Sequence, residues 1–286
     1  MNTTTRPLLA ALLTLGSAGL AAAQTTPAAT PSLAPAIAAH DSDAELVKKL
    51  NNPVASLISV PLQNNFDYGA GPTGDGFQYK LNLQPVYPAE LSEDLSLITR
   101  VIFPYVYQED VIANGTSQSG LSDTNASFFF APKTAPGKPI WGVGPALIVP
   151  TATDDLLGTE KWSAGPTGLI LWQKGPLTYG LLASHVWSFA GSGSRADINQ
   201  TFLQPFFAYA TPHHTTFGLN TETTYDWTGE QWTVPVNVMV SQLVRIGKMP
   251  VSFQLGYRYY AEKPSNGPDW GLRFGITFVF PTPGSH

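Results

Sequence analysis

The segment at residues 270–280 alternates between two kinds of side chain. Every second residue is large and apolar, and the intervening positions include glycine, threonine and Arg273. Period-two alternation predicts a β-strand with one apolar face, and about 11 residues suffice for a tilted strand to cross a bilayer. An unpaired apolar edge promotes aggregation and lipid leaves no backbone group unbonded, so the pattern favours a closed barrel. The alternative is a strand of a soluble β-sandwich.

Similar alternating segments recur along the chain from residue 57 onward. We therefore predict an all-β fold, a transmembrane outer-membrane antiparallel β-barrel of about twelve strands, an even number as single-chain bacterial barrels require. The predicted strands lie near residues 57–67, 77–86, 95–107, 122–131, 140–150, 162–172, 178–189, 198–209, 215–226, 232–244, 250–261 and 270–280. Prolines inside five of them argue against a continuous ladder and require bulges or shorter strands: Pro61, Pro145, Pro166, Pro205 and Pro235.

The connections between the predicted strands differ in length and charge. If both termini lie in the periplasm, the odd-numbered connections face outward, and these contain most of the acidic loop residues. The even-numbered connections are mostly shorter and contain lysines, for example Lys133 and Lys248. Long outer loops and short inner turns are typical of outer-membrane barrels.

The tryptophans fall at predicted strand ends. An indole ring prefers the headgroup level, where its apolar body and its polar N–H group are both accommodated. We therefore predict aromatic girdles, although the same residues would also suit the core of a sandwich. Those at the outer ends are Trp162, Trp187, Trp227, Trp232 and Trp270, and those at the inner ends are Trp141 and Trp172.

The N-terminal region predicts export. Residues 1–23 have a basic start at Arg6, an apolar segment and small residues before Gln24, as in a signal peptide. Residues 24–40 are a predicted disordered Ala/Pro-rich linker, and residues 41–56 a short periplasmic helix and lead-in, with a small plug or lid as the alternative. The predicted barrel covers residues 57–281, followed by a tail at 282–286. An exported barrel predicts the cell outer membrane of a Gram-negative bacterium.

Composition narrows the possible partners. Charged residues make up 12% of the chain, against about 25% in soluble domains, which suits a barrel with one face in lipid. The net charge of −5 gives a nucleic-acid partner no electrostatic support. The absence of cysteine excludes disulfides and thiolate chemistry. We expect outer-membrane lipid, lipopolysaccharide and a small solute as partners, with no cofactor and the oligomeric state open.

Several segments resemble one family of exported proteins. They include NPVASLISVP at 52–61, LNLQP at 81–85, WGVGP at 141–145, PTAT at 150–153, GPT at 165–167, NQTFLQP at 199–205 and WGLRFG at 270–275. Over about residues 52–281 the chain resembles bacterial outer-membrane transporters grouped with the MetA-like proteins of the phenol-degradation meta pathway, sometimes mislabelled neuromedin U. The resemblance implies an outer-membrane barrel with a transport role, in which the strand prolines belong to the barrel. It carries over no solute and no catalytic residue.

Charged residues on the polar strand faces predict the character of the lumen. Inward-facing cations would form a basic wall near the outer half, which would favour anionic or polar aromatic solutes because charged walls set pore selectivity. Alternatively, the cations are paired and only stiffen the barrel. The predicted wall comprises Lys80, Arg100, Arg245, Arg258 and Arg273. Glu222 borders it, and Asp67 lies near the outer end of the first strand, within reach of Lys80 or Arg273.

Candidate catalytic and metal motifs are weak. Ser184 and Ser188 flank His185 at spacings that place each serine on the opposite strand face from the histidine, and no acid lies nearby to complete a nucleophilic arrangement. A solvated turn or loop is the favoured interpretation of His213-His214 and of the acidic residues Asp154, Asp155 and Glu160. We therefore predict no metal site and no enzyme, but a porin-like conduit for small solutes. A structural or sensory barrel and a lipid-modifying enzyme are the alternatives.

Overall fold

The structure is a computed structural model that describes residues 42–280. The predicted signal peptide, the predicted linker and the predicted tail at 282–286 lie outside the described residues. No helix within the described range is long and apolar enough to cross a membrane.

One helix precedes fifteen strand segments in the described range. The helix α1 spans Asp43–Leu50. The strand segments are β1 Ile58–Ala70, β2 Gly76–Leu83, β3 Val86–Glu90, β4 Leu95–Glu109, β5 Ser117–Leu121, β6 Thr124–Pro132, β7 Ile140–Val149, β8 Lys161–Lys174, β9 Leu177–Gly191, β10 Asn199–Ala210, β11 Thr215–Thr221, β12 Thr223–Asp226, β13 Gln231–Ile246, β14 Met249–Glu262 and β15 Trp270–Phe280.

The segments form a closed antiparallel barrel of twelve strands, since β2 continues into β3, β5 into β6 and β11 into β12. The barrel closes between β1 and β15, where Ile58 lies opposite Phe280 and Tyr68 opposite Trp270. Closure leaves no unpaired sheet edge. The predicted fold class is therefore confirmed, including the even strand number and the short N-terminal helix.

Prolines account for the three strand interruptions. Each interruption faces a proline on the neighbouring strand, and proline has no N–H to donate to the ladder. The proline carbonyl still accepts a backbone hydrogen bond in each case, from Gln84 to Pro61 at 2.9 Å, from Ser122 to Pro104 at 2.9 Å and from Glu222 to Pro235 at 3.3 Å. The strands thus run through Pro61 and Pro235, which the sequence pattern made doubtful, and also through Pro104, which it did not single out.

The interruption between β5 and β6 also shifts the register against β4. Tyr105 lies opposite Leu121 on one side of it, whereas Ile102 lies opposite Asn125 on the other. Two residues, 122 and 123, therefore occupy the space of one, which is a β-bulge. The extra residue disturbs the period-two pattern, so the strand predicted near 122–131 in fact begins at Ser117.

The two faces of the wall differ as the alternation predicts. Along β15 the exposed Trp270, Leu272 and Phe274 alternate with the buried Gly271 and Arg273. Large exposed apolar side chains continue around the outside, such as Leu255 at 61% exposure. This apolar surface greatly exceeds the patches that soluble monomers expose and is suited to contact with acyl chains.

Candidate functional site in the barrel lumen

The barrel has two distinguishable ends. We call the end where β1 begins and β15 finishes the terminal end, and the opposite end the loop end. The N-terminal helix, the 247–248 turn and the 175–176 turn lie at the terminal end, because they connect or precede strand ends on that side. The long connections, including residues 150–160 and 192–198, lie at the loop end.

A carboxylate joins two arginines inside the barrel. Glu222 Oε1 accepts from Arg273 Nη1 at 2.9 Å, and Glu222 Oε2 accepts from Arg273 Nη2 at 2.8 Å and from Arg258 Nη2 at 2.6 Å. Glu222 lies between β11 and β12, whereas Arg258 and Arg273 lie on β14 and β15. These side chains therefore span the inner face of β13, and we call Glu222, Arg258 and Arg273 the arginine bridge.

Strand register supplies the arginine bridge with further partners. Asn237 lies opposite Arg258, and its Oδ1 accepts from Arg258 Nε at 2.9 Å. Asn65 lies opposite Arg273 and accepts from Arg273 Nε at 2.8 Å. Both asparagines are 1% exposed. A buried polar network bonded on several sides holds its members in one arrangement, so the bridge is a fixed feature of the lumen.

Asp67 is paired differently from the sequence expectation. We expected it near Lys80 or Arg273, but its Oδ2 lies 3.4 Å from Arg258 Nη1. Lys80 acts on it only over a longer distance. The residue opposite Asp67 is Gly271, where a Cβ would lie 2.3 Å from Asp67 Oδ1. The glycine thus makes room for a carboxylate that is 2% exposed.

The five predicted lumen cations do not form one wall. Lys80 lies opposite Asn65 and therefore at the level of the arginine bridge. Arg100 lies nearer the terminal end, opposite Val86. Arg245 lies at the terminal end itself, where its Nη2 is 2.5 Å from Asp43 Oδ1 of α1. Alternation identified which residues face inward. The position of each residue along the barrel axis depends on the strand register, which alternation does not define.

The N-terminal segment occupies the terminal mouth of the barrel. Ser42 caps α1 through a capping box with Glu45. On its other face, Leu46 and Val47 are buried against Leu243 of β13 and Val279 of β15. These contacts favour the plug over the lead-in, and we call residues 42–57 the terminal plug.

Contacts from the opposite side of the mouth hold the terminal plug as well. Gln173 Nε2 of β8 donates to the Lys48 carbonyl at 2.8 Å. Val54 packs into a buried apolar cluster that fills one side of the lumen with Ile98, Phe129, Ala131, Leu169, Leu171 and Leu182. The terminal plug is therefore anchored by strands from around the barrel.

A cavity of about 270 Å³ remains inside the barrel. Residues 49–53 of the terminal plug line it on one side. Its wall includes Gln84, Arg100, Phe206 and Met239, and Met239 Sδ also lies 3.9 Å from Arg273 Nη1. The cavity thus extends from the terminal plug towards the arginine bridge. A cavity of this small size is expected in a barrel with few strands, because side chains fill most of its interior.

The tryptophans lie near the ends of the strands. Six are between 38% and 53% exposed, and the seventh, Trp172, stacks on Tyr179 with 5.7 Å between the ring centroids. Five lie at the loop end and two at the terminal end. The lipid-interface role of these girdles stays a prediction. The exposed six are Trp141, Trp162, Trp187, Trp227, Trp232 and Trp270.

His185 makes polar contacts away from any serine. Its Nδ1 lies 2.7 Å from Thr201 Oγ1, which also accepts from Trp227 Nε1 at 2.8 Å. Its ring lies 4.1 Å from the ring of Trp187. Ser184 is the strand neighbour of His185 and belongs to the other face. Within residues 42–280 no group of three or more histidines and acids is placed to hold a metal ion.

Two loops at the loop end are tied together by charges that the sequence did not reveal. Lys161, 7% exposed, places its Nζ 2.9 Å from Asp197 Oδ1. That hydrogen bond, with a second one from Ser188, holds the pKa of Asp197 below its ordinary value. Arg195 donates to the Gly158 carbonyl. The pairs are distant in sequence and share no motif, so no local signal identified them.

Comparisons with known proteins support the fold. No family model and no curated protein matches the chain. The structure is similar to the crystal structure of an outer membrane channel from Pseudomonas putida F1, with a TM-score of 0.63 and 15% identity over 79% of this chain and 96% of that chain. The NanC porin, with a TM-score of 0.48 and 11% identity, and the KdgM porin, with 0.45 and 11%, each match over 78% of this chain and 99% of theirs. At such identities the first similarity shows the fold of an outer-membrane barrel, and the finer MetA-like grouping stays a prediction.

Proposed function

We propose that this protein is a porin-like channel in the outer membrane of a Gram-negative bacterium, closed at rest by its terminal plug. The observation that carries the proposal is a closed barrel with an apolar outside and a cavity between the N-terminal segment and a charged bridge. The fold similarity to an outer membrane channel of Pseudomonas putida F1 supports it.

The exterior supports the membrane location. Its exposed residues include Phe217 at 54%, Val238 at 58% and Leu255 at 61%. Each buried Leu- or Phe-sized side chain contributes about 2 kcal/mol when it leaves water, so this surface would be strongly unfavourable in water. The predicted signal peptide provides the export that an outer-membrane position requires.

The charges of the lumen support a preference for anionic or polar aromatic solutes. Among six lumen side chains the cations outnumber the carboxylates four to two, namely Lys80, Arg100, Arg258 and Arg273 against Asp67 and Glu222. Within the arginine bridge, Glu222 neutralises part of this charge, in line with the alternative that the lumen cations are paired. An anion about 8 Å from one uncompensated cation gains about 2 kcal/mol at an effective dielectric constant of about 20.

The terminal plug supports closure at rest. Five of its side chains, Leu46, Val47, Val54, Ala55 and Leu57, are at most 8% exposed. Burial of these apolar side chains stabilises the docked position of the segment. Because the segment precedes β1 and belongs to no strand, its release would leave the barrel wall unchanged.

Planar-bilayer recording tests the proposal. We expect small or rare currents from the mature chain and a severalfold larger conductance from a variant that lacks residues 24–56. The reversal potential of that variant in a salt gradient should indicate anion preference. If neither protein conducts and neither admits small sugars, acids or aromatics in liposome swelling, a structural or sensory barrel replaces the channel.

A further inference from the structure

Arg100 lies in the lumen cavity with most of its guanidinium uncommitted. In the part of the chain that the structure describes, it makes one hydrogen bond, from Nη2 to Gln84 Oε1 at 2.8 Å. A guanidinium has five N–H donors. The acid that acts on Arg100 over a longer distance is Glu222, whose two oxygens already bond Arg258 and Arg273. Among residues 42–280, the positive charge of Arg100 therefore lacks a counterion of its own.

An apolar wall lies beside this guanidinium. Val86 is directly opposite Arg100 on β3, and Phe206 lines the same cavity. Both pack against the buried apolar cluster that contains Val54 and Ile98. The cavity thus combines the Arg100 guanidinium with an apolar surface, which is the usual composition of a small-molecule site with few polar groups.

The size and the charge of the cavity limit the ligand. Its volume of about 270 Å³ lies just below the usual range of ligand pockets, about 300–1,000 Å³, so it suits a molecule of about one ring. A single planar guanidinium matches a carboxylate, which accepts two parallel hydrogen bonds. Lys80 lies at the level of the arginine bridge, and Lys49 of the terminal plug also lines the cavity. The apolar wall beside Arg100 nevertheless suits a carboxylate with an apolar body better than inorganic phosphate, which has none.

We propose that this cavity binds a small monocarboxylate with an apolar body. Arg100 holds the carboxylate, Gln84 orients the guanidinium, and Val86 and Phe206 contact the apolar part. The inference rests on the proposed function in one respect, because it names the class of solute that binds while passing through the channel. Binding itself needs only the folded barrel.

Calorimetric titration of the purified, detergent-solubilised mature chain tests the site with benzoate as the probe. Benzyl alcohol, which lacks the charge, and acetate, which lacks the apolar body, should each bind at least tenfold more weakly than benzoate. Arg100→Gln should weaken benzoate at least tenfold and leave benzyl alcohol unchanged. Lys133→Gln is the matched control, because Lys133 pairs with Glu90 outside the lumen at 46% side-chain exposure.

A second variant protects the test against a folding defect of Arg100→Gln. Val86→Thr keeps the volume and exchanges a methyl group for a hydroxyl group, so it should weaken benzoate severalfold and leave acetate unchanged. Equal benzoate affinity in the wild type and in both variants, or no binding to the wild type, would overturn the site. If the chain lacking residues 24–56 conducts but benzoate does not bind, only the binding site is contradicted. If benzoate binds but neither protein conducts in bilayers, only the channel function is contradicted.

Discussion

Arg273 and Glu222 face each other across the inner faces of β13 and β14, joined by two parallel hydrogen bonds of 2.9 and 2.8 Å. Such a bidentate pair is strong and geometrically specific. Arg273 is 4% exposed, so its charge depends on Glu222 for compensation. The pair links strands that are not neighbours in the sheet. Substitutions at this pair should therefore change both the stability of the barrel and the current through it.

Replacing Glu222 by glutamine should destabilise the barrel and increase anion preference. The amide keeps the shape but leaves the enclosed Arg273 without a counterion and Arg258 with Asp67 alone, at 3.4 Å, and breaking a buried ion pair costs about 3–5 kcal/mol. Urea unfolding in lipid vesicles measures the stability, and reversal potentials of the chain lacking residues 24–56 measure the selectivity. Glu90→Gln is the control, since its pair with Lys133 is exposed and should contribute less than about 1 kcal/mol. An equal effect of both variants would contradict a structural role for the bridge.

The hydrophobic contacts of the terminal plug should hold it more firmly than its ion pair. Leu46 is 5% exposed, and Leu46→Ala should weaken its docking by about 2–4 kcal/mol. The Asp43–Arg245 pair is about one-third exposed, and such pairs contribute about 0–1 kcal/mol because solvent screens them. Leu46→Ala should therefore raise the open probability in bilayers far more than Asp43→Asn. Leu91→Ala, at an exposed loop position, should leave the current unchanged; a larger effect of Asp43→Asn would reverse the ranking.

A side chain at position 271 should disturb the ion pair of Asp67. The Cβ of Gly271→Ala would lie 2.3 Å from Asp67 Oδ1 and 2.7 Å from the Phe66 carbonyl. The carboxylate must move away from Arg258, and overpacking of this kind typically costs about 1–3 kcal/mol. The unfolding midpoint measures the loss. Gly193→Ala is the control, because nothing lies within 4 Å of a Cβ at that loop position; equal midpoints for both variants would show that Asp67 tolerates the shift.

The tie between the two loops at the loop end should depend on pH through Asp197. Because the pKa of its carboxyl group is lowered in the folded protein, the stabilising effect is present above the ordinary aspartate value, about 3.9. It is lost as the pH falls through the lower folded-state value. NMR titration of the Asp197 carboxyl carbon should show a midpoint below the ordinary one, and Lys161→Gln should return it towards that value. A midpoint unaffected by Lys161→Gln would assign the shift to another cause.

The candidate site was only partly accessible from the sequence. The inward direction of Arg258 and Arg273 follows from alternation, and so does the outward direction of the tryptophans. The sequence placed Asp67 within reach of Lys80 or Arg273 but did not identify its ion pair with Arg258. That pair depends on which residues lie at the same level along the barrel axis across β14, β15 and β1. The uncommitted state of Arg100 likewise depends on where Gln84 and Glu222 lie in space, and period two contains no information on either.

By itself the amino-acid sequence determined the fold class, the strand number and the side of the wall on which each residue lies. Those properties are local, because neighbouring Cβ atoms in a strand point to opposite faces whatever the strand pairs with. Only the tertiary structure decided which charges meet and where the N-terminal helix packs. Register and closure join residues about 200 positions apart, as between Asn65 and Arg273, and the free energy of such contacts depends on the assembled barrel and on no single segment.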